Sequence, residues 1–456
     1  MSDKLSGVAK SPMSVFSENM PGQLPSRITA ALLSLQYSCK RGLARSSAIY
    51  VMGTGINSAI SFITIFLLTR FLSPHAFGLV SMYQVTLNLM LPILSLNLHA
   101  SISVRYFLQD KADMQKYIST QITIVIMAIA ACTTVFLAVG PLVSKLTAIP
   151  LPWLWTLFAV GLCLSIQKIA GALWLAQNKA ATLTGVGIVQ NLTGLLFMCV
   201  LVIACGLDWQ GRIESIIISS FVTLFVVLIV LCRDKKIALS FDWKFARSGL
   251  GFGIPLIPHD LGSFSLASLD RFFITKMVSM SAMGVYSAGY QIGSIMNILV
   301  ESFNRAYVPW LFSRLKKNDR AINAGIVRFT YLYFVLIIGA GLCLWGIISL
   351  CLKFIVGAAF LTALPFIPWI IAACVFNGMY LMVTNYILFA SKTHLIGGVT
   401  MLTAALSAVS TYFLIRYNGA LGAAQSAALS YLLLFLFTWV LSARVFPMPW
   451  FRFSSR

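Results

Sequence analysis

Residues 213–232 read IESIIISSFVTLFVVLIVLC, and residues 233–248 continue as RDKKIALSFDWKFARS. The first stretch holds one acid near its start and no base. A helix needs about 20 mostly apolar residues to cross a bilayer. A membrane strand would be about half as long and would alternate in polarity. The run is therefore read as a membrane helix. The second stretch is rich in Lys and Arg, as expected of a segment held on the cytoplasmic side.

Outward from this pair, eleven similar runs lie near 47–69, 77–101, 117–140, 152–176, 182–206, 250–273, 284–311, 325–350, 361–389, 395–415 and 420–442. The 456 residues are 59% hydrophobic and 10% charged, and the mean hydropathy is +0.89. Soluble domains carry about 25% charged residues, so that class is excluded. The expected fold class is an all-α membrane protein of about 12 transmembrane helices. No stretch is left for a folded domain outside the membrane.

The net charge of +21 invites comparison with nucleic-acid binders. Loop topology explains it better. With the N-terminus placed inside, 24 of the 33 Lys and Arg fall in inner segments. Six fall in outer loops: Arg70, Lys145, Arg212, Lys276, Lys353 and Arg416. Such a bias fixes orientation, and no nucleic-acid partner is expected. The remaining three, Lys168, Arg271 and Arg305, sit within or at the ends of spans. The organisation expected is a basic tail at 1–46, a first bundle at 47–232, a linker at 233–248, a second bundle at 249–443 and a tail at 444–456. Residues 28–35 of the first tail have helical apolar spacing and read as a short helix on the inner surface.

The halves look alike. Thr69-Arg70-Phe71 and Gly78-Leu79-Val80-Ser81 have counterparts in Asp270-Arg271-Phe272 and Gly284-Val285-Tyr286-Ser287. Ala176-Gln177-Asn178-Lys179 resembles Ala390-Ser391-Lys392. A parallel repeat of six helices is a common plan for transporters, with the substrate path between the halves.

Ionisable groups at depth cost about 2.5–3.5 kcal/mol on insertion scales, so they are the candidate functional residues. In the seventh span, Gly251-Phe-Gly-Ile-Pro-Leu-Ile-Pro-His-Asp260 sets two prolines before a His and an Asp. Prolines there should kink the helix, and broken helices at the midplane hold ion sites in transporters. Asp260 is the candidate for a coupling ion; a locally hydrogen-bonded kink is the plain alternative. Asp270 and Arg271 read as a pair near the outer interface, with Arg271 facing a cavity as the alternative. Glu301 and Arg305 stand four apart on one helix face, in the favourable order. Lys168 has no acid within four positions and could snorkel. In the first half Asp110, Asp113, Asp208 and Glu214 all sit in loops or at helix ends, which suits an anionic cargo.

No phosphate loop, zinc-protease or serine-nucleophile motif occurs. The nine cysteines form no CxxC or Cys/His cluster, so no metal site or disulfide framework is signalled. No enzyme activity and no cofactor are expected.

Thr69-Arg-Phe-Leu-Ser-Pro-His-Ala-Phe-Gly78 resembles the first outer loop of Wzx-type bacterial polysaccharide flippases. Leu269-Asp270-Arg271-Phe272 with Met283-Gly284-Val285-Tyr286-Ser287 resembles that family's seventh-to-eighth helix junction. Gly357 to Pro365, followed by a span ending in Ala390-Ser-Lys392, is a weaker third match. The family belongs to the multidrug/oligosaccharidyl-lipid/polysaccharide exporter superfamily. The resemblance implies two six-helix bundles around a cationic central cavity in the bacterial inner membrane. It implies movement of undecaprenyl-diphosphate-linked oligosaccharide, O-antigen or another repeat unit, driven in some relatives by Na⁺ or H⁺. Lys168, Arg271 and Arg305 would attract the diphosphate, with Arg70 and Arg105 at the mouths. Asp260 would couple the ion, with Asp270 and Glu301 as further candidates. The implied partners are the lipid-linked cargo, the bilayer and other membrane proteins of polysaccharide assembly. A multidrug exporter of the same superfamily, or a membrane-embedded polymerase or glycosyltransferase, is the alternative.

Overall fold

A computed structural model describes residues 49–50, 52–106, 111–234, 240–316 and 319–450. The basic tail at 1–46 with its expected surface helix, residues 235–239 of the linker, and 451–456 lie outside the described residues. Among the described residues every regular element is helical.

The first half comprises α1 (Met52–Phe71), α2 (Pro74–Ser95), α3 (Leu98–Arg105), α4 (Lys111–Thr147), α5 (Leu151–Ala176), α6 (Ala180–Met198) and α7 (Trp209–Arg233). A π-helical segment, Cys199–Ala204, extends α6. The second half comprises α8 (Trp243–Gly253), α9 (Ile257–Met277), α10 (Met280–Gly293), α11 (Ile295–Leu315), α12 (Arg320–Ile355), α13 (Ile367–Phe389), α14 (Thr393–Asn418) and α15 (Ala420–Val445).

Ten helices among the described residues are long and apolar enough to cross a membrane. The two expected crossings that do not qualify as single helices are the seventh and eighth. A 3₁₀ turn at Ile254–Leu256 divides the seventh into α8 and α9, where Pro255 and Pro258 remove backbone donors. Ser294 divides the eighth into α10 and α11. These two crossings also carry Asp260, Asp270, Arg271, Glu301 and Arg305. The second crossing is broken as well, which its sequence did not announce. Leu96 and Asn97 take left-handed φ values of 46° and 50° between α2 and α3. That break packs against the break of the seventh: a Cβ on Gly253 would overlap the Leu96 carbonyl.

The internal repeat is visible in backbone geometry. Ser73 and Ser279 each cap a helix by accepting a hydrogen bond from the amide three residues on, Ala76 and Ala282. Asn178 and Ser391 both take left-handed φ, 56° and 57°, at the α5–α6 and α13–α14 turns, and so do Gly206 and Gly419, 68° and 58°. The offset is 206 positions at the first junction (73 to 279) and 213 at the later turns (178 to 391, 206 to 419).

The halves cross at α2 and α10 through a pair of matched glycines. A Cβ on Gly78 would overlap the carbonyl oxygen of Met280, and one on Gly284 that of Pro74. These partners are themselves 206 positions apart, so the crossing is symmetric in the repeat. Two apolar cores meet there. Leu79, Met82 and Tyr83 of α2 belong to a core built mainly from the first half. Ala76, Phe77 and Val80 of the same helix belong to one built mainly from the second.

Candidate functional site

Five of the eight candidate residues are bound to protein partners. Asp270 and Arg271 are both buried, 9% and 6% exposed, and do not sit at an interface with water or headgroups. Arg271 Nη1 donates to Asp270 Oδ1 at 2.8 Å and to the Ala267 carbonyl at 2.6 Å. Tyr286 donates its hydroxyl to Asp270 Oδ2. The guanidinium lies 4.2 Å from the Tyr290 ring centroid, a cation–π contact. The cluster ties α9 to α10, and its charges cancel.

Glu301 and Arg305 form an i,i+4 pair at 3.4 Å on α11, both exposed. Arg70, exposed at the end of α1, donates to the Phe354 carbonyl at 3.0 Å, at the end of α12 in the other half. Its counterpart at the same 206-position offset is Lys276, not Arg271 as the sequence motifs had paired it. Lys276 ends α9 and donates to the Lys145 carbonyl near the end of α4. The two bonds thus cross between the halves in opposite directions at the sparsely charged end.

Lys168 and Asp260 are brought together although they are far apart in sequence. Lys168 is exposed on α5 and Asp260 half-buried on α9. They lie within electrostatic reach of each other, and both act on His99 of α3. Among the described residues neither belongs to an ion pair shorter than 4.0 Å. Arg105, half-buried at the end of α3, acts on Tyr117 of α4. Among the described residues no group of three His, Cys, Asp or Glu converges as a metal cage. Asp260, Asp270 and Glu301 therefore do not form such a cage.

One cation was missed by the sequence reading. Arg212, counted there as an outer-loop charge, lies in the first turn of α7 and lines a cavity of about 290 Å³. The walls come from α1, α2, α6 and α7, with Gln291 contributed by α10 of the other half. Arg212 Nη1 donates to Ser215 Oγ at 3.1 Å, and Nε has no protein partner. No carboxylate among the described residues pairs with it. The signal was present: Arg212, Ile216 and Ser219 fall on one helical face and all line the cavity. Loop counting hid it. Of the polar residues that cavity chemistry would draw on, Gln84, Gln190 and Asn191 are here. Asn385 is buried and donates to Asn304 Oδ1 at 3.0 Å instead.

Residues 43–315 match the family described as "Polysaccharide biosynthesis protein". A protein of Haemophilus influenzae named "Lsg locus putative protein 1" is 25% identical over 377 residues, covering 80% of this chain and 90% of the relative. An "Uncharacterized membrane protein" of the same organism is 26% identical over 385 residues, covering 83% and 90%. Among solved structures, an inward-facing multidrug resistance MATE family transporter of the MOP superfamily superposes with a TM-score of 0.69 at 10% identity, covering 87% of this chain and 98% of that one. The lipid II flippase MurJ, in an inward closed conformation, gives 0.69 at 12% identity, covering 87% of each. At such identities the likeness is one of fold. It is the fold of multi-pass membrane transporters.

Proposed function

This chain belongs to the polysaccharide biosynthesis protein family, and on that premise we propose that it is a flippase for undecaprenyl-diphosphate-linked oligosaccharide. The cargo is an O-antigen or other surface-polysaccharide repeat, carried across the bacterial inner membrane with both termini cytoplasmic. The sparsely charged end is then the outer one. The two bundles, 47–232 and 249–443, rock about the α2–α10 crossing and open the path to one side at a time.

The observation that supports this reading best is that Lys168 and Asp260, from opposite halves, lie within electrostatic reach of each other. A fixed cation within a membrane span demands a counter-charge. A diphosphate is a stronger one than a single carboxylate, since its oxygens accept charge-assisted hydrogen bonds. Cargo and Asp260 compete for Lys168. The charge on Asp260 therefore governs how tightly the diphosphate is held, and a bound H⁺ or Na⁺ at Asp260 changes that charge. That competition is the proposed link between an ion gradient and the cargo. Arg305 and Arg105, exposed and half-buried respectively, draw the headgroup in. Arg271 has its charge cancelled by Asp270 and contributes less. A multidrug exporter for cations would be served by acids in the first bundle, and the cavity there is lined by an arginine instead.

The test is a leaflet assay. Protein is reconstituted into liposomes carrying a fluorescent polyprenyl-diphosphate oligosaccharide, and lipid reaching the far leaflet is scored with an impermeant quencher. Protein-dependent movement is expected. Lys168→Ala should slow it about 10- to 100-fold, the loss of one charge-assisted contact of about 1.5–3 kcal/mol. Equal movement with and without protein would reject the function. A lengthened glycan would mean a polymerase.

A further inference from the structure

The first-half cavity is separate from the Lys168–Asp260 region. Its volume, about 290 Å³, is that of a small ligand pocket. It has room for one sugar ring rather than a chain of them. Its chemistry is specific. Gln84, Gln190 and Asn191 offer amide donors and acceptors, and Thr64 and Ser219 offer hydroxyls. Arg212 supplies a guanidinium that no carboxylate among the described residues pairs with and whose Nε lacks an acceptor there. Arg212 is half-buried, and a partly desolvated cation without a counter-charge is costly to keep. The two buried charges in the described residues, Asp270 and Arg271, are paired with each other. The apolar part of the wall, Ile60, Leu68 and Phe77, suits the less polar face of a sugar ring.

We propose that this cavity is a binding site for a single sugar residue bearing an oxyanion, a carboxylate or a phosphate, with Arg212 holding the anion and the amides holding the hydroxyls. It is a specificity site for an acidic saccharide, placed toward the sparsely charged end of the first bundle. Binding there follows from the cavity alone; that the sugar arrives on a lipid carrier rests on the flippase reading.

Full-length protein in nanodiscs is titrated by calorimetry with glucuronate, glucose 6-phosphate, glucose and inorganic phosphate. The two acidic sugars should bind at least tenfold tighter than glucose or inorganic phosphate. Arg212→Gln should erase that preference while the protein stays folded, because the charge being removed has no carboxylate partner among the described residues. Gln84→Leu, which leaves the charge in place, should weaken the acidic sugars severalfold. A further arm uses polyprenyl diphosphate without sugar. Its binding should be lowered by Lys168→Ala and unchanged by Arg212→Gln, which assigns the Arg212 anion to the sugar and not to the lipid headgroup. Glucose binding as well as glucuronate, phosphate binding as well as glucose 6-phosphate, or an intact preference in Arg212→Gln would each overturn the site. These are binding readouts, so a failure of lipid flipping in liposomes would leave them standing, and the reverse.

Discussion

The two halves place an arginine in matching regions of their bundles and treat it in opposite ways. In the second half, Arg271 is closed against Asp270, Tyr286 and Tyr290. At the 206-position offset, Asp270 corresponds to Thr64, Arg271 to Ile65 and Tyr290 to Gln84. Those three first-half residues line the cavity that Arg212 enters from α7. The same pair of crossings therefore builds a closed, self-neutralised cluster on one side and a polar cavity with an unpaired cation on the other. Pairing makes a fastener, whereas a lone cation among amides makes a place for a ligand.

The largest expected effect comes from breaking the closed cluster. Arg271→Ala would leave the Asp270 carboxylate buried without its cation, and breaking a buried pair costs about 3–5 kcal/mol. Thermal unfolding of the purified variant should show that loss. Asp270→Asn combined with Arg271→Gln should recover most of it, since no charge remains uncompensated. If Arg271→Ala unfolds like the parent, the cluster is not a fastener and the contrast collapses.

A second change turns one region into the other. Thr64→Asp sets a carboxylate where the repeat has Asp270, in the same cavity as Arg212. Neutralising Arg212 in place should weaken binding of acidic sugars about 10- to 100-fold, equivalent to about 1.4–2.8 kcal/mol, with the fold intact. Undiminished binding would show that Arg212 does not hold the anion.

How much of this could be read beforehand differs between the two regions. Helix number and the kink at Pro255 and Pro258 follow from local composition and backbone chemistry, so they were legible. So were the repeat motifs, though their register was not. The sequence paired Arg70 with Arg271, because both precede a phenylalanine, whereas the caps at Ser73 and Ser279 pair Arg70 with Lys276. Burial of Asp270 and Arg271 depends on Tyr286 and Tyr290 arriving from the next helix, which no local pattern encodes. The nearness of Lys168 and Asp260 is set by packing between the halves. Arg212 was visible as a charge but was assigned to a loop, because topology counting rewards placing bases outside spans.

A smaller effect is expected where the halves touch. Gly284→Ala drives a methyl into the Pro74 carbonyl, and Gly78→Ala does the same at Met280. Backbone is a poor thing to displace, and overpacking costs about 1–3 kcal/mol. The symmetry adds a sharper condition: the two variants should lose similar stability by thermal unfolding. A large loss in one and none in the other would mean that the crossing is not a shared pivot.

The smallest effect tests the repeat at its rim. Arg70 and Lys276 each donate to a carbonyl of the opposite half, Phe354 and Lys145, at the sparsely charged end. Neither is buried, so each bond is worth about 0.5–1.5 kcal/mol net. That is little against the whole fold but enough to bias a conformational equilibrium severalfold. If the bonds hold this end shut, Arg70→Ala and Lys276→Ala should each shift the protein toward a form open there. Spin labels on the ends of α1 and α12 would report the opening as a longer distance population. Because the bonds join different helix pairs, the double variant should add the two shifts. A single variant that reaches the full shift would make one bond the closure and the other a bystander. The two halves would then differ at the rim as they do at their cores.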